Sequence, residues 1–210
     1  MNTSGPILLF GGTFDPPTRA HAALPLRAAD LVGARRLLYV PAAISPHKLD
    51  QAPTAAKHRL AMLELALSDT EGVEIRTLEL DREGPSYTVD TVETMRTEFG
   101  PDTPLRLLIG DDQAESFHRW KDWERIIELA EPLVLPRRHD TPEAFAAAMA
   151  GSDAGWSEAD VLAWVDRRLD LPCMTMCSTN ARNQLEAGDD ADEALDANVL
   201  AYIREQSLYR

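Results

Sequence analysis

Five apolar, β-rich runs separated by helical patterns constrain this chain more than any other feature. Ile7 to Gly11, Arg36 to Pro41, Val73 to Leu80, Leu105 to Gly110 and Pro132 to Pro136 read as strands. Several are continuous apolar runs, the pattern of parallel strands covered on both faces. Between them, Ala20 to Val32, Ala55 to Ser68, Val89 to Phe99 and Trp123 to Ala130 read as helices, the second marked most strongly by Leu60, Met62, Leu63, Leu65 and Leu67. Strand–helix alternation predicts an α/β fold: a doubly wound, Rossmann-like parallel sheet with helices on both faces. After Pro136 the texture changes. Thr141 to Leu171 looks helical but weakly patterned and predicts a surface excursion. A short strand, Cys173 to Met176, then leads into a C-terminal helical segment of two helices, the last ending near Tyr209. There is no internal repeat or linker, so residues 1–210 are expected to form one domain.

Composition narrows the function. The formal net charge is −14 with no basic stripe, which argues against a nucleic-acid partner and against anionic membrane surfaces. No unbroken apolar stretch reaches membrane-spanning length. The apolar run near the first residues lacks a basic leader, so a cytoplasmic protein is expected. Cys173 and Cys177 are the two cysteines. They complete neither a disulfide framework nor a zinc tetrahedron, and read as buried thiols. Small phosphorylated substrates stay compatible with the acidic surface, provided the basic residues gather inside the binding motifs.

The first such motif is GGTFDPPTRAH, Gly11 to His21, where the first strand gives way to the first helix. In open α/β sheets that corner binds phosphate. Gly11 and Gly12 allow close backbone approach, Thr13 offers an amide and a hydroxyl, and Pro16 and Pro17 stiffen the turn. Thr18 and His21, three residues apart, share one face of the opening helical turn. His21 can therefore meet charge developing on a phosphorus centre. Taken alone, a G-G-T is more often a plain glycine turn followed by a surface histidine. No G-x-G-x-x-G follows the first strand and no G-K-S/T closes the loop, so neither the dehydrogenase fingerprint nor the P-loop applies.

Other stretches also carry both functional and structural readings. Ser86 and Thr88 can be simple helix caps before Val89. Of Trp120 and Trp123, one is expected in the core. Asp111 and Asp112, beside a glycine at a strand end, suggest a ligand-facing loop. Ser178 or Thr179 reads as an N-cap, and Lys48 alone reads as a solvated lysine.

As a set, however, the motifs resemble the nucleotidyltransferase superfamily that carries H-x-G-H or T-x-G-H after G-G-T-F-D-P. PAAISPHK (Pro41 to Lys48), GPSYTVDTV (Gly84 to Val92), IGDDQAESFHRWKDWERI (Ile109 to Ile126), STNAR (Ser178 to Arg182) and the closing YIREQSLYR follow in the order seen in bacterial nicotinate-nucleotide adenylyltransferases. The resemblance spans nearly the whole chain apart from the segment between Arg138 and Asp170. It implies that Gly11, Gly12, Thr13 and Phe14 line the ATP pocket through their backbone, with Ser178 and Thr179 binding ATP from a helix N-terminus. It implies catalytic placement for His21, Thr18, Lys48 and Arg182 around the phosphates. Thr88 and Trp120 would hold the nicotinate ring, with Gly110 and Asp112 near the ribose. Mg²⁺ is expected on the ATP phosphates, with no dedicated protein metal site, and a homo-oligomer is possible.

The implied reaction joins AMP from ATP to nicotinate mononucleotide, giving deamido-NAD and pyrophosphate. It needs no enzyme nucleophile, which suits a sequence without a Ser-His-Asp or Cys-His arrangement. There are departures from the pattern. Thr18 stands at the first histidine position, Ala20 at the motif glycine, Ala42 and Ala43 where asparagine is frequent, and Cys177 where serine precedes Ser178. Threonine occupies this place in the related phosphopantetheine adenylyltransferases, the alternative enzyme. A non-catalytic nucleotide-binding relative is the alternative from another class.

Overall fold

The computed structural model describes residues 5–44, 52–82 and 84–210. It contains five parallel strands: β1 (Ile7–Gly12), β2 (Arg36–Pro41), β3 (Val73–Ile75), β4 (Leu105–Gly110) and β5 (Glu131–Leu135), in the spatial order β3-β2-β1-β4-β5. The connecting helices are α1 (Arg19–Leu31), α2 (Ala56–Ala66), α3 (Thr88–Phe99), the short α4 (Asp111–Ala114) and α5 (Trp123–Leu129). This is the expected doubly wound α/β sheet. Strand order reverses between β1 and β4, so their C-terminal ends diverge into a crevice.

The continuous apolar runs have a direct explanation. Side chains alternate across a strand, and both faces of this sheet are covered. Ile7, Leu9, Leu107 and Ile109 pack on one side with Val92, Met95 and Ile126. Leu8, Phe10, Leu37 and Leu108 pack on the other with Leu24, Ala28 and Tyr39.

Three expectations from sequence need correction. The strand read over Val73 to Leu80 stops at Ile75. The Arg76 amide still donates to the Tyr39 carbonyl, but the next rung would need an amide hydrogen from Pro41, which has none. The chain instead turns over Thr77 to Asp81, with the Leu80 and Asp81 amides donating to the Thr77 carbonyl. Cys173 to Met176 is not a strand either. The edge of β5 is met earlier, where Val134 pairs with Arg168, and the later segment makes one backbone bond there, Met174 N–H to Pro136 O at 3.2 Å.

The third correction concerns Thr141 to Leu171, read as a surface excursion. It forms α6 (Pro142–Ala150) and α7 (Glu158–Asp166). Phe145, Met149 and Trp164 are buried in the same core as β4 and α3. The closing helices are α8 (Ser178–Glu186) and α9 (Ala197–Gln206), the last ending before Tyr209. They share a third apolar cluster with Met62 of α2, through Ala181, Leu195, Val199 and Ile203. Among the described residues, no helix is long and apolar enough to cross a membrane.

Candidate active site

A cleft of about 1360 Å³ opens over the C-terminal ends of β1 and β4, where the strand order reverses. One wall is the turn after β1. A Cβ on Gly12 would come within 2.9 Å of the Phe14 ring, so glycine at this position leaves room for that ring. Phe14 itself is left-handed, with φ of 50°. That reversal sends its ring inward, against Phe10, Tyr39 and His21 at centroid separations of 5.7, 5.9 and 5.5 Å. Gly11, Gly12, Thr13 and Phe14 all line the cleft.

Thr18 is buried and caps α1, with His21 three residues on. The Thr18 amide donates to His21 Nδ1 at 3.0 Å, and Thr18 Oγ1 lies 2.8 Å from the same nitrogen. An amide can only donate, so Nδ1 is the lone-pair nitrogen and the ring proton belongs on Nε2. The Tyr39 hydroxyl holds the next link, donating to the His21 carbonyl at 2.9 Å. Burial pushes the Tyr39 phenol far above its ordinary range, which keeps it a donor. His21 lines the cleft; Thr18 lies beneath it.

The opposite side of this half is α8. The residue flanking its start is Cys177, and no side chain caps the first turn. Ser178, expected as a cap, instead donates its hydroxyl to the Pro16 carbonyl at 2.8 Å, tying α8 to the β1–α1 turn. Arg182 donates to the Asp15 carbonyl at 2.5 Å and lies 3.4 Å from Thr179 Oγ1. Both acceptors are neutral, so the guanidinium is aimed without having its charge cancelled. Ser178, Thr179 and Arg182 line the same cleft as His21. The uncapped helix start and the arginine together favour an anion.

The other half of the cleft is built on β4 and β5. Gly110 is buried under Asp112, and a Cβ there would stand 2.3 Å from Asp112 Oδ1 and 2.9 Å from the Arg137 side chain. Asp112 lines the cleft with Arg137, whose Nη1 is 3.8 Å from Asp112 Oδ1. Asp111 does not face a ligand. Fully buried, it accepts the Asp112, Arg137, Arg138 and His139 amides at 2.9–3.1 Å, locking the turn after β5 to the end of β4. Trp120 reaches the cleft and packs on Phe117 with centroids 4.9 Å apart, while Trp123 packs against Trp156 at 5.4 Å.

Thr88 also lines this half as the first residue of α3, which is flanked by Tyr87 and lacks a side-chain cap. Ser86, the other expected cap, accepts the Ala43 amide at 3.0 Å instead. Beneath it lies Glu79, a buried carboxylate missed in the sequence because it sits inside a run that reads as strand. Thr91 donates to Glu79 at 2.5 Å and Ser86 hydrogen-bonds it as well. Burial pushes the Glu79 carboxyl above its usual range, and the two hydroxyls partly oppose that shift.

Arg59 gives no signal in the sequence either, since a lone arginine in a helix reads as a solvated residue. It is buried and donates to the Thr54, Thr13 and Ala43 carbonyls at 2.8, 2.7 and 3.2 Å, joining three loops under the cleft. Cys173 and Cys177, expected as buried, are half-buried free thiols. Burial, then Asp140, raises the Cys173 pKa to about 11. Lys48 lies outside the described residues. The remaining candidate residues are brought to one cleft, directly or, for Thr18 and Gly110, as its support.

The cytidylyltransferase-like family model matches residues 9–183. The nicotinate-nucleotide adenylyltransferase of Salmonella typhi is 34% identical, over 96% of this chain and 97% of its own length. A probable nicotinate-nucleotide adenylyltransferase of Chromobacterium violaceum matches to the same extent, 34% over 96% and 97%. In three dimensions, the Plasmodium falciparum nicotinic acid mononucleotide adenylyltransferase solved with NaAD superposes with a TM-score of 0.77 at 18% identity, covering 98% of this chain and 97% of that one. The chain belongs to the nicotinate-nucleotide adenylyltransferase family, nucleotidyltransferases of the cytidylyltransferase-like fold.

Proposed function

We propose that this protein transfers AMP from ATP to nicotinate mononucleotide, releasing pyrophosphate and forming deamido-NAD. The observation that carries the proposal is that two anion cradles and a pyridine-side wall share one cleft. ATP lies across the turn after β1 and the start of α8. Gly11, Gly12, Thr13 and Phe14 present backbone to it, and Ser178, Thr179 and Arg182 meet its phosphates. The mononucleotide lies over β4, with Asp112 toward the ribose, Gly110 allowing the close turn beneath, and Thr88 and Trp120 around the ring.

The mononucleotide phosphate oxygen attacks the α-phosphorus in line. A new P–O bond forms as the bond to the β-phosphate oxygen breaks, and pyrophosphate leaves. No side chain need become a covalent carrier, so catalysis is positioning and charge stabilisation. His21 Nε2–H donates to oxygens that gain charge, Thr18 holds that tautomer, and Arg182 adds an uncancelled positive charge. Mg²⁺ would be held chiefly by the triphosphate oxygens, whose charge it would neutralise. Asp15, Glu79 and Asp111 already accept hydrogen bonds from the chain, and among the described residues no group of three potential ligands converges.

The test is a pyrophosphate-release assay with Mg²⁺, ATP and either the acid or the amide mononucleotide. The acid form should be the better acceptor. A strong preference for the amide, or for phosphopantetheine, would overturn the assignment.

A further inference from the structure

Asp15 poses a problem for an anion-binding turn, because a carboxylate there would repel a triphosphate. The structure resolves it with a segment distant in sequence. After α9 the chain passes through two left-handed residues, Ser207 and Tyr209, with φ of 54° and 56°. The Leu208 amide returns to the Ile203 carbonyl at 3.1 Å. This fold-back brings the Tyr209 hydroxyl to Asp15 Oδ1 at 2.5 Å, while the Thr54 amide donates to Asp15 Oδ2 at 3.1 Å. Asp15 is only 7% exposed, and both of its oxygens are engaged by donors from the protein. Arg59 acts on it electrostatically from below. The Asp15 backbone carbonyl is at the same time the acceptor that aims Arg182. Tyr209 also lines the cleft.

We propose that Tyr209 is a positioning residue for the ATP half of the site. By holding the Asp15 carboxylate away from the phosphates, it fixes the main chain that orients Arg182. The claim rests on ATP occupying that half, as argued above. Loss of the phenol leaves a largely buried carboxylate oxygen without its donor. The side chain then seeks water in the cleft, brings negative charge toward the triphosphate and loosens the Arg182 anchor. The mononucleotide half is built on β4, α3 and the turn after β5, and does not depend on this contact.

The experiment measures Mg-ATP binding by calorimetry without acceptor, and KM for both substrates, in wild type, Tyr209→Phe, Asp15→Asn and the double variant. Tyr209→Phe keeps the ring and its packing. It should weaken ATP binding by about five- to tenfold, the effect of losing one intramolecular hydrogen bond. The KM for the mononucleotide should stay within about twofold of wild type, since its half of the cleft shares no donor with Asp15. The double variant should bind ATP no more weakly than Asp15→Asn alone, because both act through one contact. Wild-type ATP affinity in Tyr209→Phe would overturn this inference and leave the proposed reaction standing. So would equal losses for both substrates with a lowered Tm, which would make Tyr209 a packing residue. Failure of the wild-type protein to bind ATP would overturn both.

Discussion

His21 and Thr18 show how little of a residue's role lies in its side chain alone. The hydrogen bond that fixes the histidine tautomer comes from the Thr18 main chain, which any residue except proline supplies. Replacing His21 by alanine should lower turnover by about 10²–10³, the usual effect of removing one transition-state donor. Thr18→Val, which keeps the amide, should cost less than about tenfold in single-turnover rate, in line with the loss of one neutral hydrogen bond. Equal effects from the two substitutions would assign the main role to the Thr18 hydroxyl. Glu79 makes a different prediction, about stability. Burial raises its pKa in the folded chain, so the native state holds the proton to higher pH than the unfolded state does. Its contribution is therefore fully present below the unfolded pKa and is lost as pH rises through the folded one. Glu79→Gln, which cannot ionise, should gain in Tm relative to wild type as pH is raised from acidic to mildly alkaline. A constant difference across that range would show that Glu79 does not titrate as its burial requires.

The elements divide into those whose pattern was readable and those whose purpose was not. Strands β1, β2 and β4 were legible because two covered faces leave continuous apolar runs, α3 because its apolar residues face the sheet, and α2 because its leucine-rich run serves two clusters, Leu63 toward the sheet and Met62 toward α9. Helices α6 and α7 were legible as helices but not as core. Their apolar residues, many of them alanines, do not gather into a sharp stripe, and nothing local says that Phe145, Met149 and Trp164 meet β4 and α3 rather than solvent. The prediction that separates the two readings is Trp164→Ala. As a surface residue it would be nearly silent, whereas as part of the main core it should lower stability by about 3–5 kcal/mol in denaturant unfolding. At the start of α8, Ser178 looked like an N-cap but ties the helix to the β1–α1 turn through Pro16. A capping motif and a tertiary tie use the same residue types, and the sequence does not separate them.

At the scale of the whole molecule, the cleft depends on segments that are far apart in the chain. Ligand that binds only the folded cleft must stabilise it. At about 100 times its Kd, Mg-ATP should add about 2.7 kcal/mol, which for a chain of this size raises Tm by about 5–10 °C. Differential scanning calorimetry with and without Mg-ATP checks this, and an unchanged Tm would mean that the two cradles do not act on one ligand. The sequence by itself determined the strand–helix alternation, the parallel sheet and the identity of the motifs, because period, turn chemistry and glycine placement are local properties. It did not determine which buried charges hold the motifs together. Asp15 with Tyr209, Arg59 with three loop carbonyls, Asp111 with four amides and Glu79 beneath Ser86 are pairings between segments up to 194 residues apart. Their partners are mostly main-chain groups, which every residue carries, so only the folded chain decides which of them meet.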